Sequence, residues 1–423
     1  MTRISTSVCV FAWLALAVPP AFATDIGANL RGGGFASRVD GENAAQGFLN
    51  GRATIETDIG AGIEFEGHLF GTARVLSDPA DGLIPQRVGH GQYRAIDLLA
   101  DNGSGNDGQV LTFVDRFVFR KSFGDLDVSI GRQAVTFGKA YFWNPLDVFR
   151  PFAAEQVNRD YKAGVDAVRV DWELDSFSGI TVVSVLGQEV DPLGAPIGRD
   201  REVTADTYGS ALIGRYAAYV DGWDIALQGG KIYGGLQIGA AAVGEISVVQ
   251  VRLEGAYFDA RRVPQGPALT VRDGVRQLFT DHFQAVFGAG YRWPNTLQID
   301  GEYYYNGAGA PDDQLVGLFR VAVGASQQIN RHLVGLRGSY EITPILIGNL
   351  TAIHGVSDDS GLMQAQLVWS LSDETDFLFT GSAGYGRQPL AGPLTFPRSL
   401  TRIPQSEFGA LRGALAAELR TYF

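Results

Sequence analysis

From about residue 27 onward, polar and apolar residues alternate in short runs. Between Ile63 and Val75, Ile63, Phe65, Leu69 and Val75 fall on one side, with Glu64, Glu66, His68, Thr72 and Arg74 on the other. A period of two is that of a strand, in which successive side chains point to opposite faces. Val249, Val251, Leu253 and Tyr257 oppose Gln250, Arg252 and Glu254 in the same way. So do Leu297, Ile299, Tyr303 and Tyr305 against Gln298, Asp300, Glu302 and Asn306, and Met363, Leu367, Trp369 and Leu371 against Gln364, Gln366 and Ser370. Along the chain the pattern predicts about eighteen strands: 27–37, 48–59, 62–75, 109–121, 124–134, 164–174, 178–188, 207–219, 222–231, 234–243, 246–260, 281–292, 296–307, 329–341, 344–354, 361–372, 375–386 and 408–423. Their connections alternate. Short turns fall around Gly124, Phe177, Asp221, Pro294, Thr343 and Glu374, and long loops run over 76–108, 135–163, 189–206, 261–280, 308–328 and 387–407. An even strand number with short turns at one end and long loops at the other predicts an all-β fold. That fold is a transmembrane antiparallel β-barrel with periplasmic turns and extracellular loops.

The last strand fits this reading. Leu411, Leu415, Leu419 and the terminal Phe423 share one face, and Arg412, Glu418, Arg420 and Tyr422 the other. An amphipathic last strand ending on an aromatic residue is expected to be the signal read by the barrel-assembly machinery. Trp172, Tyr219, Trp223, Tyr291, Trp293, Trp369 and Phe377 fall near the short turns, where an aromatic girdle meets the lipid interface.

The first residues differ. Arg3 precedes an apolar run from Val8 to Val18, then Pro19-Pro20 and Ala21-Phe22-Ala23. This is the layout of a secretory signal peptide over 1–23, too short to span a bilayer. The remaining 24–423 reads as one barrel domain. The sole cysteine, Cys9, lies in the signal, so the mature chain has no disulfide and no cysteine metal site. The net charge of −12 argues against nucleic acid as a partner. No later window carries an apolar run long enough for a transmembrane helix.

A wet barrel interior places polar side chains inward. Parity then assigns Arg31, Arg52, Arg74, Arg169, Arg215, Arg252, Arg292, Arg337, Arg412 and Arg420 to the lumen, joined by Arg116, Arg120 and Arg132. Arg132 requires a parity switch, because Leu126, Val128 and Ile130 face outward, and a bulge near Gly131 would supply one. Asp115 falls among Leu111, Phe113, Phe117 and Phe119, which read as lipid-facing, and also calls for a bulge. Acidic residues Glu56, Asp58, Glu64, Glu66, Asp127, Asp171, Glu173, Asp224 and Glu341 lie nearer the short turns, giving an acidic vestibule below an arginine-rich middle. Two readings of the arginines stay open. One is an anion-preferring pore, since guanidinium binds carboxylates and phosphates bidentately. The other is a wall in which arginines and carboxylates neutralise each other across strands.

One segment breaks the alternation. FGKAYFWNPLDVFRPFAAEQVNRDYKAG, 137–164, holds seven aromatic residues and two prolines. It is expected to be an outer loop, turning at Asn144-Pro145. Its aromatics, Phe142 and Trp143 among them, are expected to form a core of the loop's own. Arg150, Arg159 and Lys162, with Asp147, Glu155 and Asp160, would dock it on the wall. Folded inward, it would be the constriction; the alternative is a loop packed on the rim.

The run IGRQAVTFGKAYFWNPLDVF, continued by RDYKAGVDAVRVDW, resembles a pattern in Gram-negative outer-membrane proteins akin to the alginate-export porins. The matching positions include Gly131, Arg132, Gln133, Phe137, Gly138, Phe142, Asn144, Pro145, Asp147, Phe149, Asp160, Gly164, Asp166 and Arg169. The resemblance covers about a tenth of the chain and implies an eighteen-stranded barrel with an arginine-lined passage for an acidic polysaccharide. The long late periplasmic loop of that family is missing here, so alginate itself is not carried over.

The five histidines are not spaced as metal ligands and show no nucleophile partner, so neither a metal, a cofactor nor catalysis is expected. The oxygen-rich 102–108 reads as a loop. The function expected from sequence is a porin or channel-type transporter for polar, anionic or polymeric solutes, with outer-membrane lipids as surroundings. A structural or interaction barrel with a blocked lumen is the rival reading, and a barrel enzyme the third.

Overall fold

Strands with one apolar and one polar face have no stable arrangement until the sheet closes, because an open edge in a membrane leaves unpaired backbone groups in hydrocarbon. In the computed structural model they close. The structure describes residues 24–39, 42–76, 93–105, 108–156, 159–188, 205, 207, 209–232, 234–260, 278–322, 324–391 and 402–423. The signal segment 1–23 and much of four long loops lie outside these residues. The wall is built from β1 Thr24–Val39, β2 Glu42–Asp58, β3 Ile63–Leu76, β4 Gly108–Phe123, β5 Leu126–Gln133, β6 Val165–Asp175, β7 Ser178–Val185, β8 Ala211–Val220 and β9 Trp223–Ile232. It continues with β10 Gly235–Ile246, β11 Val249–Asp259, β12 His282–Arg292, β13 Gln298–Asn306, β14 His332–Thr343, β15 Leu346–Gly355, β16 Ser360–Ser372, β17 Thr375–Tyr385 and β18 Leu411–Tyr422. Each strand pairs antiparallel with its neighbours in sequence, and β18 returns to β1 through Leu30↔Thr421 and Leu415↔Ala36. The result is a closed eighteen-stranded antiparallel barrel, each strand coinciding with one expected from the period-two pattern.

The outward face is apolar. Ile238, Leu227, Phe287, Leu350 and Leu415 are each more than half exposed, as are Trp172 and Tyr219 at the turn end, and Phe423 is 73% exposed. No helix among the described residues is long and apolar enough to cross a membrane.

Three features refine the sequence reading. Asp115 is the extra residue of a bulge, as expected, since the β3–β4 register jumps from His68↔Arg116 to Leu69↔Val114. The jump reverses the facing of upper β4. Leu111 and Phe113, read as lipid-facing, are buried instead, and the Phe113 ring meets the inward Phe70 at 5.0 Å. Phe117 and Phe119, below the bulge, stay outside. Second, β5 is short, so the upper half of β4 lacks a partner on that side. A short strand from the preceding loop, Leu99–Ser104, supplies it, pairing Leu99 with Phe113. Third, the loop after β13 contains the helix α1, Gln314–Ala322. A small ladder, Leu390–Ala391 with Arg402–Ile403, lies outside the wall.

No residue is inserted at Gly131, where a bulge was expected; the β4–β5 register is regular through Val118↔Gly131 and Phe117↔Arg132. The adjustment is conformational. Gly131 has a φ of 126°, and a Cβ there would lie 2.0 Å from the Phe117 carbonyl oxygen. Only glycine fits both conditions. Gly131→Val is therefore expected to abolish barrel assembly, measured as loss of the folded, heat-modifiable species on electrophoresis.

Candidate functional site

The described residues of the segment between β5 and β6, 134–156 and 159–164, lie inside the barrel. Its first turn forms at Asn144-Pro145, where Asp147 N donates to the Asn144 carbonyl at 3.0 Å, proline holding the second position. From there it reaches across to the inward faces of β9 to β14. Glu254 of β11 accepts from Lys139 N at 2.8 Å and Leu146 N at 2.6 Å. Glu302 of β13 accepts from Tyr141 N at 2.5 Å and Phe142 N at 2.7 Å. Gln228 and Gln237 donate to the carbonyls of Leu146 and Pro145. Two buried wall carboxylates thus hold four loop amides that no secondary structure satisfies. Such charge-assisted bonds are stronger than neutral ones, and each buried amide left without a partner would cost about 1–3 kcal/mol.

Aromatic packing completes the seat. Trp143 stacks on Tyr304 of β13, with ring centroids 5.4 Å apart and planes 13° apart. Phe142 fills the space over Gly335 of β14, where a Cβ would meet its ring at 2.8 Å. Phe149, Phe137, Leu146 and Val148 join wall residues Val165, Val183, Ile213 and Ala241 in one buried cluster. Phe142, Trp143 and Ala154 join Val286, Leu333 and Ile353 in another. The sequence suggested a core of the loop's own; instead the loop shares one with the wall.

Docking by charged side chains is correspondingly rarer than expected. Of the six charged residues expected to dock the loop, Asp160 reaches the wall as a salt bridge, 2.9 Å from both Arg31 of β1 and Arg420 of β18. Lys162 pairs with Asp147 inside the loop, both buried. Burial pushes the Asp147 carboxyl up and the Lys162 ammonium down, while their mutual attraction opposes both shifts. Arg159 ties the loop to itself through the carbonyls of Tyr141 and Ala154. Glu155 meets Gln328 of the α1 loop at 3.5 Å. Arg150, with a φ of 55°, lines a cavity of about 400 Å³ beside His282 and Gln284. Burial, with Arg94 and Arg132 nearby, pulls its guanidinium down to about 10, so it stays charged at neutral pH.

The arginines expected in the lumen divide into two sets. Arg116 and Arg120 both hold Glu66, Arg132 holds Asp166, Arg169 holds Asp171, Arg252 holds Asp300, and Arg292 holds Glu341. Arg132 is also bound to the carbonyls of Val114 and Ile96, so it closes the wall beneath the Leu99–Ser104 strand and is no free lumen cation. Arg52 holds Asp115 and lies 4.0 Å over the Tyr161 ring. The second set is not matched in this way. Arg215 is buried under the loop against Gln228 and Phe137. Arg337 donates to Asn349 and lies at the limit of ion pairing with Asp300, 4.0 Å. Arg412 lies against the Gln388 carboxamide, and the Arg74 side chain has no hydrogen-bond or ion-pair partner among the described residues. Glu56, Glu66 and His68 come close enough together to hold a metal ion, but Arg116 and Arg120 already neutralise Glu66.

The loop splits the interior. On β8 to β13, inward Ile213, Gln237, Glu254, Gln284 and Tyr304 are buried beneath it. On β15 to β17, inward Asn349, Thr351, Gln364, Gln366, Thr380 and Ser382 keep part of their surface open.

No known sequence family matches this chain, and no curated protein does. Solved structures do match. OccAB1 of Acinetobacter baumannii superimposes with a TM-score of 0.56 at 9% identity, covering 95% of this chain and 96% of that one. OccK11 (OpdR) of Pseudomonas aeruginosa gives 0.54 at 9%, covering 95% and 96%. The outer membrane protein OpdK of Pseudomonas aeruginosa gives 0.53 at 10%, covering 95% and 98%. What is shared is the fold. Membership of the alginate-export family, suggested by the 130–172 motifs, is not shown by these matches.

Several anchors carry no signal in the sequence. Glu254 and Glu302 read only as polar positions of their strands, because their partners are backbone amides of a distant loop. Glu407, before β18, is another. It accepts from Ile329 N, Asn330 N and Asn330 Nδ2, each at 2.8 Å, locking the α1 loop to the last loop. Burial, helped by Glu155, pushes its carboxyl up to about 7 against those bonds. A raised folded value means that this contribution is full below the ordinary 4.5 and is lost as pH rises through about 7. The amides of Ile329 and Asn330 are expected to lose hydrogen-exchange protection, corrected for intrinsic rates, between pH 5 and 8, and Glu407→Gln to remove that dependence.

Proposed function

We propose that the chain is an outer-membrane channel that passes polar solutes through the part of the lumen left open beside loop 135–163, which acts as the constriction. The carrying observation is the asymmetry of the interior: a loop bolted to β9 to β14, and accessible polar side chains on β15 to β17. An eighteen-stranded wall encloses more space than its own side chains fill, so the contents of the lumen decide what passes. The fold shared with OpdK, an outer membrane protein, supports the location. Residues 1–23 fit an export signal cleaved on the way, and Phe423 on the exposed end of β18 fits recognition by the barrel-assembly machinery.

The anionic part of the reading rests on fewer residues than the sequence offered. Arginines bound to carboxylates present little free positive charge, which leaves Arg74, Arg337 and Arg412 as the accessible candidates. In planar bilayers the protein is expected to conduct, with a modest anion preference in reversal potentials that Arg337→Ala together with Arg412→Ala reduces. Cation selectivity in the unmutated protein would overturn the arginine argument. The buried apolar clusters inside the barrel favour a second reading, an interaction barrel with a blocked lumen, and absence of any conductance would support it over the first.

A further inference from the structure

The open sector carries an ordered set of neutral polar groups. In the antiparallel register Asn349 faces Gln366, and Gln366 faces Thr380. Two residues further along, Thr351 faces Gln364, and Gln364 faces Ser382. These are two rungs about 7 Å apart, crossing three strands over about 10 Å. Within the first rung, Asn349 Nδ2 donates to Gln366 Oε1 at 3.4 Å and Gln366 Nε2 to Thr380 Oγ1 at 3.5 Å. Arg337 ends the row, donating to Asn349 Oδ1 at 3.0 Å. At the other end the rungs run out on Ala416 and Ala414 of β18, whose small side chains leave the track uncovered.

The chemistry of this track differs from that of the rest of the wall. Elsewhere many inward polar groups are ionised and paired, and neutral ones such as Gln228 and Gln237 are taken up by the loop; here they are amides and hydroxyls that both donate and accept and that the loop leaves open. Bonds of 3.4–3.5 Å lie at the long end of hydrogen bonding and are readily exchanged for bonds to a solute. On the β18 side the flanking charges are compensated, since Arg31 and Arg420 share Asp160 and Arg420 also holds Glu418. At the β14 end Arg337 is engaged by Asn349 and stands 4.0 Å from Asp300. Within the rungs themselves no side chain is charged, so a ring of hydroxyls finds there a matching array of donors and acceptors.

We propose that Asn349, Gln366 and Thr380, with Thr351, Gln364 and Ser382, form a recognition track for uncharged polyhydroxyl solutes, small sugars above all. This deepens the channel reading and rests on it. The test uses the full barrel in liposomes, with glucose swelling rates measured beside potassium chloride conductance in planar bilayers. Gln366→Met removes the hydrogen-bonding groups at nearly constant volume, and Asn349→Leu does so one strand away. The double variant is expected to slow glucose entry several-fold while conductance stays within about twofold. Glucose entry that is unchanged, or that falls in step with conductance, would overturn the track. If the unmutated barrel passes neither ions nor glucose, the channel reading itself fails, and the track with it.

Discussion

Deleting residues 141–158 is expected to raise single-channel conductance several-fold. The deletion removes Phe142, Trp143, Leu146 and Phe149, all buried between the loop and the wall. It returns the inward faces of β9 to β14 to water. The wall itself does not need the loop, because every strand is hydrogen-bonded to a neighbour on both sides. Glu254 and Glu302 lose their amide partners but gain solvent, which satisfies carboxylates equally well. The control is retention of β-sheet circular dichroism and heat modifiability. A correctly folded deletion variant with unchanged conductance would mean that the narrowest point lies elsewhere.

The second large effect concerns Lys162 and Asp147. Both are buried and each is the other's counter-charge. Removing one leaves an uncompensated charge in a dry setting, a loss of roughly 3–5 kcal/mol, whereas replacing both with apolar groups of similar size is often neutral. Lys162→Met is therefore expected to loosen the loop strongly, seen as faster proteolysis within 141–156 and larger current fluctuations. Lys162→Met combined with Asp147→Leu should recover most of the lost order. A double variant as loose as the single one would show that the pair acts through its specific bond and not through charge balance.

The wall was legible because closure in a membrane demands alternation from every strand, and alternation is visible residue by residue. Ile63 to Val75 declares both its faces without reference to any other part of the chain. The Asp115 bulge was legible only as an anomaly, since the partner strand's register determines which side the extra residue takes. The Leu99–Ser104 strand was not legible at all: LADNGS carries no alternating pattern and pairs because β5 is too short to cover upper β4. For the loop, the aromatic and proline content of 137–164 marked it as a break in the alternation but left entry into the lumen and packing on the rim both open. It did not give the means of attachment. Glu254 and Glu302 bind backbone amides, and an amide is the same in every residue, so no pattern of side chains records the contact. The arginines follow the same logic. Parity places Arg116, Arg169 and Arg252 inward, but only the cross-strand register shows that Glu66, Asp171 and Asp300 already hold them.

That the loop covers one half of the lumen and leaves the other open to solutes is most directly tested by cysteine accessibility. The chain's only cysteine is Cys9, so single cysteines can be placed at Gln366 and Thr380 on the open side, and at Gln237 and Gln284 on the covered side. Each is then treated in intact vesicles with a charged methanethiosulfonate reagent. Rapid modification at Gln366→Cys and Thr380→Cys, with protection at Gln237→Cys and Gln284→Cys, is the predicted result. Equal rates on both sides, or protection at all four positions, would contradict it.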